Sequence, residues 1–150
     1  MHSPHIWLRA ETKSGEARRA LAPDDARQLL DAGFRVSVEQ SAQAAIADHA
    51  YAAVGCDLQP VGSWVSAPED CYILGLKELP GQPTTLVHRH IYFAHAFKQQ
   101  RGWDALLLRF MRGGGELLDL EYLVDDNGRR LAAFGYWAGY VGAALAVVAW

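Results

Sequence analysis

Gly75-Leu-Lys77-Glu78-Leu-Pro80 sets a lysine and a glutamate just after a short apolar run, and His95 follows a second run that ends at Ala94. In open α/β sheets, ligands bind beyond the carboxyl ends of strands, so both side chains could face one crevice. A lysine is a poor base near neutrality unless burial or a neighbouring cation lowers its pKa, whereas a histidine already titrates there. Together they would make an acid/base pair for a carbonyl, amine or imine substrate. Spacing alone fits better with a surface lysine paired to Glu78 and a hydrogen-bonded histidine at a strand end.

The stretch Arg9-Ala-Glu11-Thr-Lys13-Ser-Gly-Glu16-Ala-Arg18-Arg19 packs six charged side chains between a strand pattern and a proline-started helix. Arginine forks bind carboxylates bidentately, so Arg18 or Arg19 could hold an amino-acid or oxo-acid substrate. A solvated loop with mutual ion pairs is the plainer reading. Glu121 and Arg130 flank a turn sequence and read either as surface charges or as a second carboxylate contact.

Four weaker signals point away from other chemistry. His88-x-His90 puts two imidazoles on one strand face, but no nearby cysteine or carboxylate completes a ligand set, so no metal is expected. Gly113-Gly114-Gly115 follows a helix pattern and reads as a cap rather than a phosphate cradle. Gly135-x3-Gly139-x2-Gly142 lacks the G-x-G spacing that pyrophosphate needs, and no nicotinamide-binding signature exists in these residues. Trp137, Tyr140 and Trp150 read as packing rather than as a cofactor box.

The elements that must position these residues alternate. Ile6–Arg9, Phe34–Val38, Cys71–Leu76 and His90–Ala94 read as strands, while Pro23 to Gly33, Ala44 to Val54 and Gly102 to Arg112 read as helices. Leu117–Val124 and Arg130–Phe134 flank Asp125-Asp-Asn-Gly128, which predicts a β-hairpin. The expected fold class is α/β, a Rossmann-like open, largely parallel sheet with helices on both faces and that hairpin near the C-terminus.

With 150 residues, 51% hydrophobic and 21% charged, the chain suits one soluble globular domain. A net charge of -3 provides no basic footprint for nucleic acid. The start has no basic region followed by a long apolar one, so no secretory signal is expected. Cys56 and Cys71 form no C-x-x-C pattern, which points to reduced thiols and a cytoplasmic protein. Leu131–Trp150 carries no charged residue and is long enough to span a bilayer, but glycines interrupt it and no basic cluster follows. It is expected to be an apolar segment that packs on another element, or a self-association surface, rather than a membrane span.

Leu8-Arg-Ala-Glu-Thr-Lys13, Glu16-x-Arg18 and Ala20-Leu-Ala-Pro23 resemble the opening of the alanine dehydrogenase, transhydrogenase and saccharopine dehydrogenase superfamily. Within it, the lysine-forming saccharopine dehydrogenases are the nearer resemblance. The blocks that carry this are Gly75–Pro80, Phe93-Ala-His95, Lys98-x-Gln100-x-Gly-Trp103, Leu118-Asp-Leu-Glu121, Gly128-Arg-Arg130 and Ala132–Gly135, with Gly142-Ala-Ala-Leu145 after them. Where fungal relatives commonly have Cys-Tyr after the histidine, this chain has Ala96-Phe97.

The resemblance implies an NAD-dependent oxidoreductase that cleaves saccharopine to lysine and 2-oxoglutarate, with roles for individual residues. Lys77 resembles the base that takes the proton of the secondary amine, and His95 the acid/base group that works on the imine. Glu78 and Glu121 resemble acidic neighbours that tune these two. Lys13, Glu16, Arg18, Lys98 and Arg130 resemble residues that bind substrate. Family members are more than twice as long, so residues 1–134 are expected to be the substrate domain. Residues 135–150 would then be a helix leading to an absent NAD-binding domain, without which the chain is expected to be inactive. An alanine dehydrogenase-like half and a non-catalytic module that binds a carboxylate metabolite or a partner are the alternatives.

Overall fold

Six short strands build one sheet: β1 (His5–Leu8), β2 (Arg35–Glu39), β3 (Asp57–Gln59), β4 (Tyr72–Leu74), β5 (Arg89–Tyr92) and β6 (Glu116–Asp119). The computed structural model describes residues 3–98, 100–133 and 135–149. The strands lie in the order β3-β2-β1-β4-β5-β6, and every neighbouring pair is parallel. The chain divides into two compact units, Met1–Asp119 and Leu120–Trp150, and the whole sheet belongs to the first.

Parallel strands need both faces covered, and β1 shows how that is done. All four of its residues are buried. Successive side chains point to opposite faces, so Trp7 and Leu8 enter different cores. Trp7 packs with Trp64, Ile73, Leu86 and Phe110, the last carried by α3 (Trp103–Gly113). Leu8 packs with Val36, Val38, Ala26 of α1 (Pro23–Asp31) and Tyr51 of α2 (Asp48–Ala53). Helices therefore lie on both faces, as expected.

The helix ends follow their local chemistry. Pro23 opens α1, and Asp24 and Asp25 place negative charge at the positive end of its dipole. At the end of α3, Gly114 adopts φ 73°, which caps the helix. The glycines on either side serve a different need: a Cβ on Gly113 or Gly115 would lie 2.2 or 2.4 Å from the carbonyl oxygen of Leu86. The triple glycine is thus a cap and a close backbone crossing in one.

The C-terminal unit departs from the predicted hairpin. Asp125 Oδ1 accepts the amides of Asn127 and Arg129, so the acidic turn forms as read. Among the described residues one antiparallel bridge, Val124 to Arg130, closes it. The run 117–124 divides instead: its start joins β6 against β5, and Leu120–Tyr122 coil into a 3-10 turn. Residues 131–133 are not a strand, and Phe134 and Trp150 lie outside the described residues. The apolar tail forms α4 (Tyr136–Ala149), with Tyr140, Val141, Leu145, Val147 and Val148 exposed. Among the described residues, no helix is long and apolar enough to cross a membrane.

Candidate active site

The strand order runs outward from β1 to β3 on one side and from β4 to β6 on the other, so the sheet has its switch point between β1 and β4. In open sheets of this kind the ligand crevice lies at such a point, beyond the carboxyl ends of the two strands. Arg9 to Glu11 leave β1 on one side of it, and Gly75 to Glu78 leave β4 on the other. The Arg9 guanidinium is buried, donates to the carbonyl of Lys77 and lies over the Tyr92 ring. Glu11, equally buried, sits 3.4 Å from Arg9 and accepts the amides of Leu76 at 2.6 Å and Lys77 at 3.0 Å. A Cβ on Gly75 would meet the Arg9 guanidinium at 2.5 Å, so the glycine leaves room for this clamp. The loop that bears Lys77 is fixed from beneath by a buried ion pair.

The Lys77 side chain reaches out of the clamp, one-third exposed, to 3.9 Å from Glu16. Arg18 holds the same Glu16 oxygen at 2.6 Å and the other at 2.8 Å through Nε. This bidentate grip, with the Arg18 amide and Lys77 adding to it, holds the Glu16 carboxyl down at about 2 from the ordinary 4.5. Glu78 turns to Lys13 at 3.5 Å, an exposed pair. Its own amide, with Lys13 and Lys77 adding, keeps its carboxyl below the usual range. Lys13, Glu16, Arg18, Lys77 and Glu78 therefore form one linked set of charges.

His95 leaves the neighbouring strand. The register pairs Leu74 with Ile91, and the pairing continues as Phe93 donates to the carbonyl of Leu76. Carried on, it brings Lys77 level with Ala94, one residue before His95, on strands about 4.8 Å apart. His95 has φ 50°, a left-handed conformation that costs a non-glycine residue about 1–2 kcal/mol. Such strain collects at functional sites, where surrounding contacts hold it. Here Asp119 accepts the Ala94 amide, the His95 ring stacks on Phe93, and the Lys98 amide closes on the His95 carbonyl. Lys98 itself ends the short 3-10 turn Ala96–Lys98 and is exposed.

Other candidates separate by their surroundings. Arg19 is buried, donating to the carbonyl of Glu39 and to Asp48 while lying over Tyr51, whereas about half of the Arg18 side chain is exposed. Of the two arginines, only Arg18 has a face that substrate could meet. Glu121 and Arg130 belong to the C-terminal unit and pair with each other at 3.1 Å. His88 bonds the carbonyl of Ala67, and His90 is enclosed by Trp64 and Phe110. Burial drives His90 down to about 3, so it is a neutral core residue. Among the described residues, no group of three or more His, Cys, Asp or Glu side chains gathers to hold a metal.

Sequence reading passes over Glu39, which is fully buried at the end of β2. It accepts four N–H groups: the Trp7 indole and the amides of Ala10, Gly62 and Trp64. The signal available is a lone acid closing the run Val36-Ser-Val38, and for the clamp, a charged pair two residues apart directly after β1. These carboxylates also decide how the crevice stands toward NAD, the cofactor implied by the resemblance. The amides beyond β1 and β4 that would bind a pyrophosphate are already taken by Glu11 and Glu39. The turn after β1 has no G-x-G glycines for close approach either. The loops after β1 and β4 therefore do not fit the pyrophosphate of that cofactor.

Comparison with known proteins agrees with the sheet and with the family resemblance. Over 151 aligned residues the chain is 58% identical to the saccharopine dehydrogenase (NAD(+), L-lysine-forming) of Emericella nidulans, covering 100% of this chain and 40% of the relative. It is 52% identical to the protein of the same name from Schizosaccharomyces pombe, covering 100% and 41%. The chain thus spans about 40% of the length of these curated relatives. A solved L-alanine dehydrogenase superimposes with a TM-score of 0.67 at 23% identity, covering 82% of this chain and 34% of that one, which shows a shared fold. The family model described as alanine dehydrogenase/PNT, N-terminal domain, matches residues 7–141, the sheet with its clamp and both strand-end loops included, and the chain belongs to that family.

Proposed function

We propose that this chain is the substrate-handling part of a saccharopine dehydrogenase that forms lysine and 2-oxoglutarate. The observation that carries the reading is the placement of Lys77 and His95 at the carboxyl ends of adjacent strands, with Glu16 and Arg18 beside the lysine. The 58% identity with a relative of that name supports it.

Lys77 receives the proton of the substrate's secondary amine as the imine forms. To act as a base it must leave its ion pair with Glu16. Arg18 already holds the same carboxylate oxygen, so Glu16 keeps a counter-charge when Lys77 is neutral. His95 then activates water toward the imine carbon and moves the proton that lets the carbinolamine break. Lys13, Lys98 and the exposed part of Arg18 bind substrate carboxylates, and Glu78 moderates the proton-transfer groups beside it. The oxidation needs NAD, which we assign to a domain beyond residues 135–150. Buried, free Cys56 and Cys71 support a reducing, cytoplasmic setting, and the net charge of -3 supports a small-molecule partner over nucleic acid.

The test is NADH formation from saccharopine and NAD by this chain and by the same chain extended through its downstream reading frame. Turnover in the extended protein alone is expected. A folded extended protein that oxidises another amino acid but not saccharopine would overturn the reading.

A further inference from the structure

We infer that a cavity beside His95 is a second carboxylate subsite, with the Arg109 guanidinium and the Tyr92 hydroxyl as its donors. The cavity measures about 350 Å³ and lies between the ends of β4 and β5 and the start of α3, and Glu78, Tyr92, His95, Trp103 and Arg109 are in its wall. That volume suits a small metabolite.

Two side chains of this wall set the chemistry. Tyr92 Oη and Arg109 Nη2 are both enclosed, and neither has a hydrogen-bond partner among the described residues. Arg109 Nε is already held by the carbonyl of Pro83 at 2.9 Å, which fixes the direction of the guanidinium fork. A guanidinium N–H can only donate, and burial pushes the Tyr92 phenol up, so its proton stays in place for donation as well. Two enclosed, electrostatically coupled donors call for an acceptor, and a carboxylate offers two oxygens. The first turn of α3 borders the same space and adds the positive end of its dipole. Trp103 and Leu106 supply an apolar side along which a short methylene chain can lie.

Which carboxylate enters rests on the dehydrogenase reading above. His95 opens on the same cavity, so a substrate reacting at His95 can carry its remote carboxylate to Arg109. Glu78 in the wall suits an ammonium next to that carboxylate, which favours the amino-acid end of the substrate over the oxo-acid end.

The test follows the Trp103 indole N–H of this chain by NMR, assigned with Trp103→Phe, during titration with L-lysine, glutarate and 1,5-diaminopentane. A carboxylate probe is expected to move the signal and the diamine to leave it. Lysine acting alone identifies the amino-acid end, and glutarate acting alone the oxo-acid end. Arg109→Gln should weaken binding about tenfold or more, the scale of one charge-assisted hydrogen bond, with partial recovery in Arg109→Lys. Tyr92→Phe keeps the ring and should weaken binding severalfold, so the idea stays open to test even if Arg109→Gln fails to fold. A diamine as effective as lysine, unchanged affinity in a folded Tyr92→Phe, or no response to any carboxylate would overturn the subsite. Because this is a binding signal, it is independent of turnover: an active extended enzyme with a silent Trp103 would sink the subsite and leave the reaction standing.

Discussion

The Glu11 carboxylate accepts the backbone amide of Lys77 at 3.0 Å, although 66 residues separate the two in sequence. Arg9 grips the carbonyl of the same residue, so the peptide units around Lys77 are held on both sides while its side chain remains outside. The position of the proposed base is thus a property of a buried ion pair, and Glu16 meets only the tip of the side chain.

Breaking that pair from one side should therefore be severe. Glu11→Ala leaves Arg9 buried without its counter-charge and two amides without an acceptor, and should destabilise the chain by about 3–5 kcal/mol. Urea unfolding measures this, and Glu11→Gln, which retains one acceptor oxygen, should lose less.

Gly75→Ala adds one methyl group where the Arg9 guanidinium lies 2.5 Å away. Overpacking of this kind costs about 1–3 kcal/mol. Because the strain falls on the residue that holds Lys77, turnover of the extended enzyme should drop as well. A variant as stable and as active as the parent would show that the close approach is unimportant.

Lys77→Met and His95→Gln test the chemistry itself. In the extended enzyme each should lower turnover by about 10²–10⁴-fold, the usual contribution of a proton-transfer group. Thermal unfolding should barely change, since neither side chain is buried. Normal turnover in either folded variant removes that residue from the mechanism.

Glu16 provides a pH signature. Its carboxyl is depressed to about 2 from 4.5, mainly by the hydrogen bonds from Arg18. A depressed folded-state value means the stabilisation is present above 4.5 and is lost as pH falls toward 2. Carboxyl NMR should place the Glu16 titration near the bottom of that window, and Arg18→Met should return it toward 4.5. An unchanged titration in Arg18→Met would mean that another group holds the proton off.

The exposed residues Tyr140, Val141, Leu145, Val147 and Val148 of α4 form an apolar surface that favours association. We expect dimers or larger species of the isolated chain by sedimentation, and monomers when Leu145 and Val148 are both changed to lysine. A parent chain that sediments as a monomer would count against this surface.

Much of the sheet is legible in the sequence because apolar runs bounded by glycine and proline leave few alternatives, although β4 and β5 end at Leu74 and Tyr92, two residues before the apolar runs do. β3 is invisible, since Asp57–Gln59 is short and has only one apolar residue. The hairpin fails as a ladder because side-chain bonds from Asp125 specify a turn but not the pairing that follows it. Arg18 and Arg19 are chemically alike and adjacent, and only burial separates a residue that can meet substrate from one locked onto Asp48 and Tyr51. The roles of Glu11 and Glu39 escape for the same reason: whether a charge is solvated or walled in depends on contacts distant in sequence.

Glu39 also has a mechanical effect. By gathering donors from β1 and its exit (the Trp7 indole and the Ala10 amide) and from the turn Ser63–Ser66 with its cap, the carboxylate at the end of β2 laces three separate pieces of chain into a single knot. Opening that knot would require four hydrogen bonds to let go together around a buried charge, which opposes local opening there. In the proposed reaction, adjustment to substrate then falls to the outer parts of long side chains such as Lys77 and Arg18, above a backbone tied down by buried carboxylates.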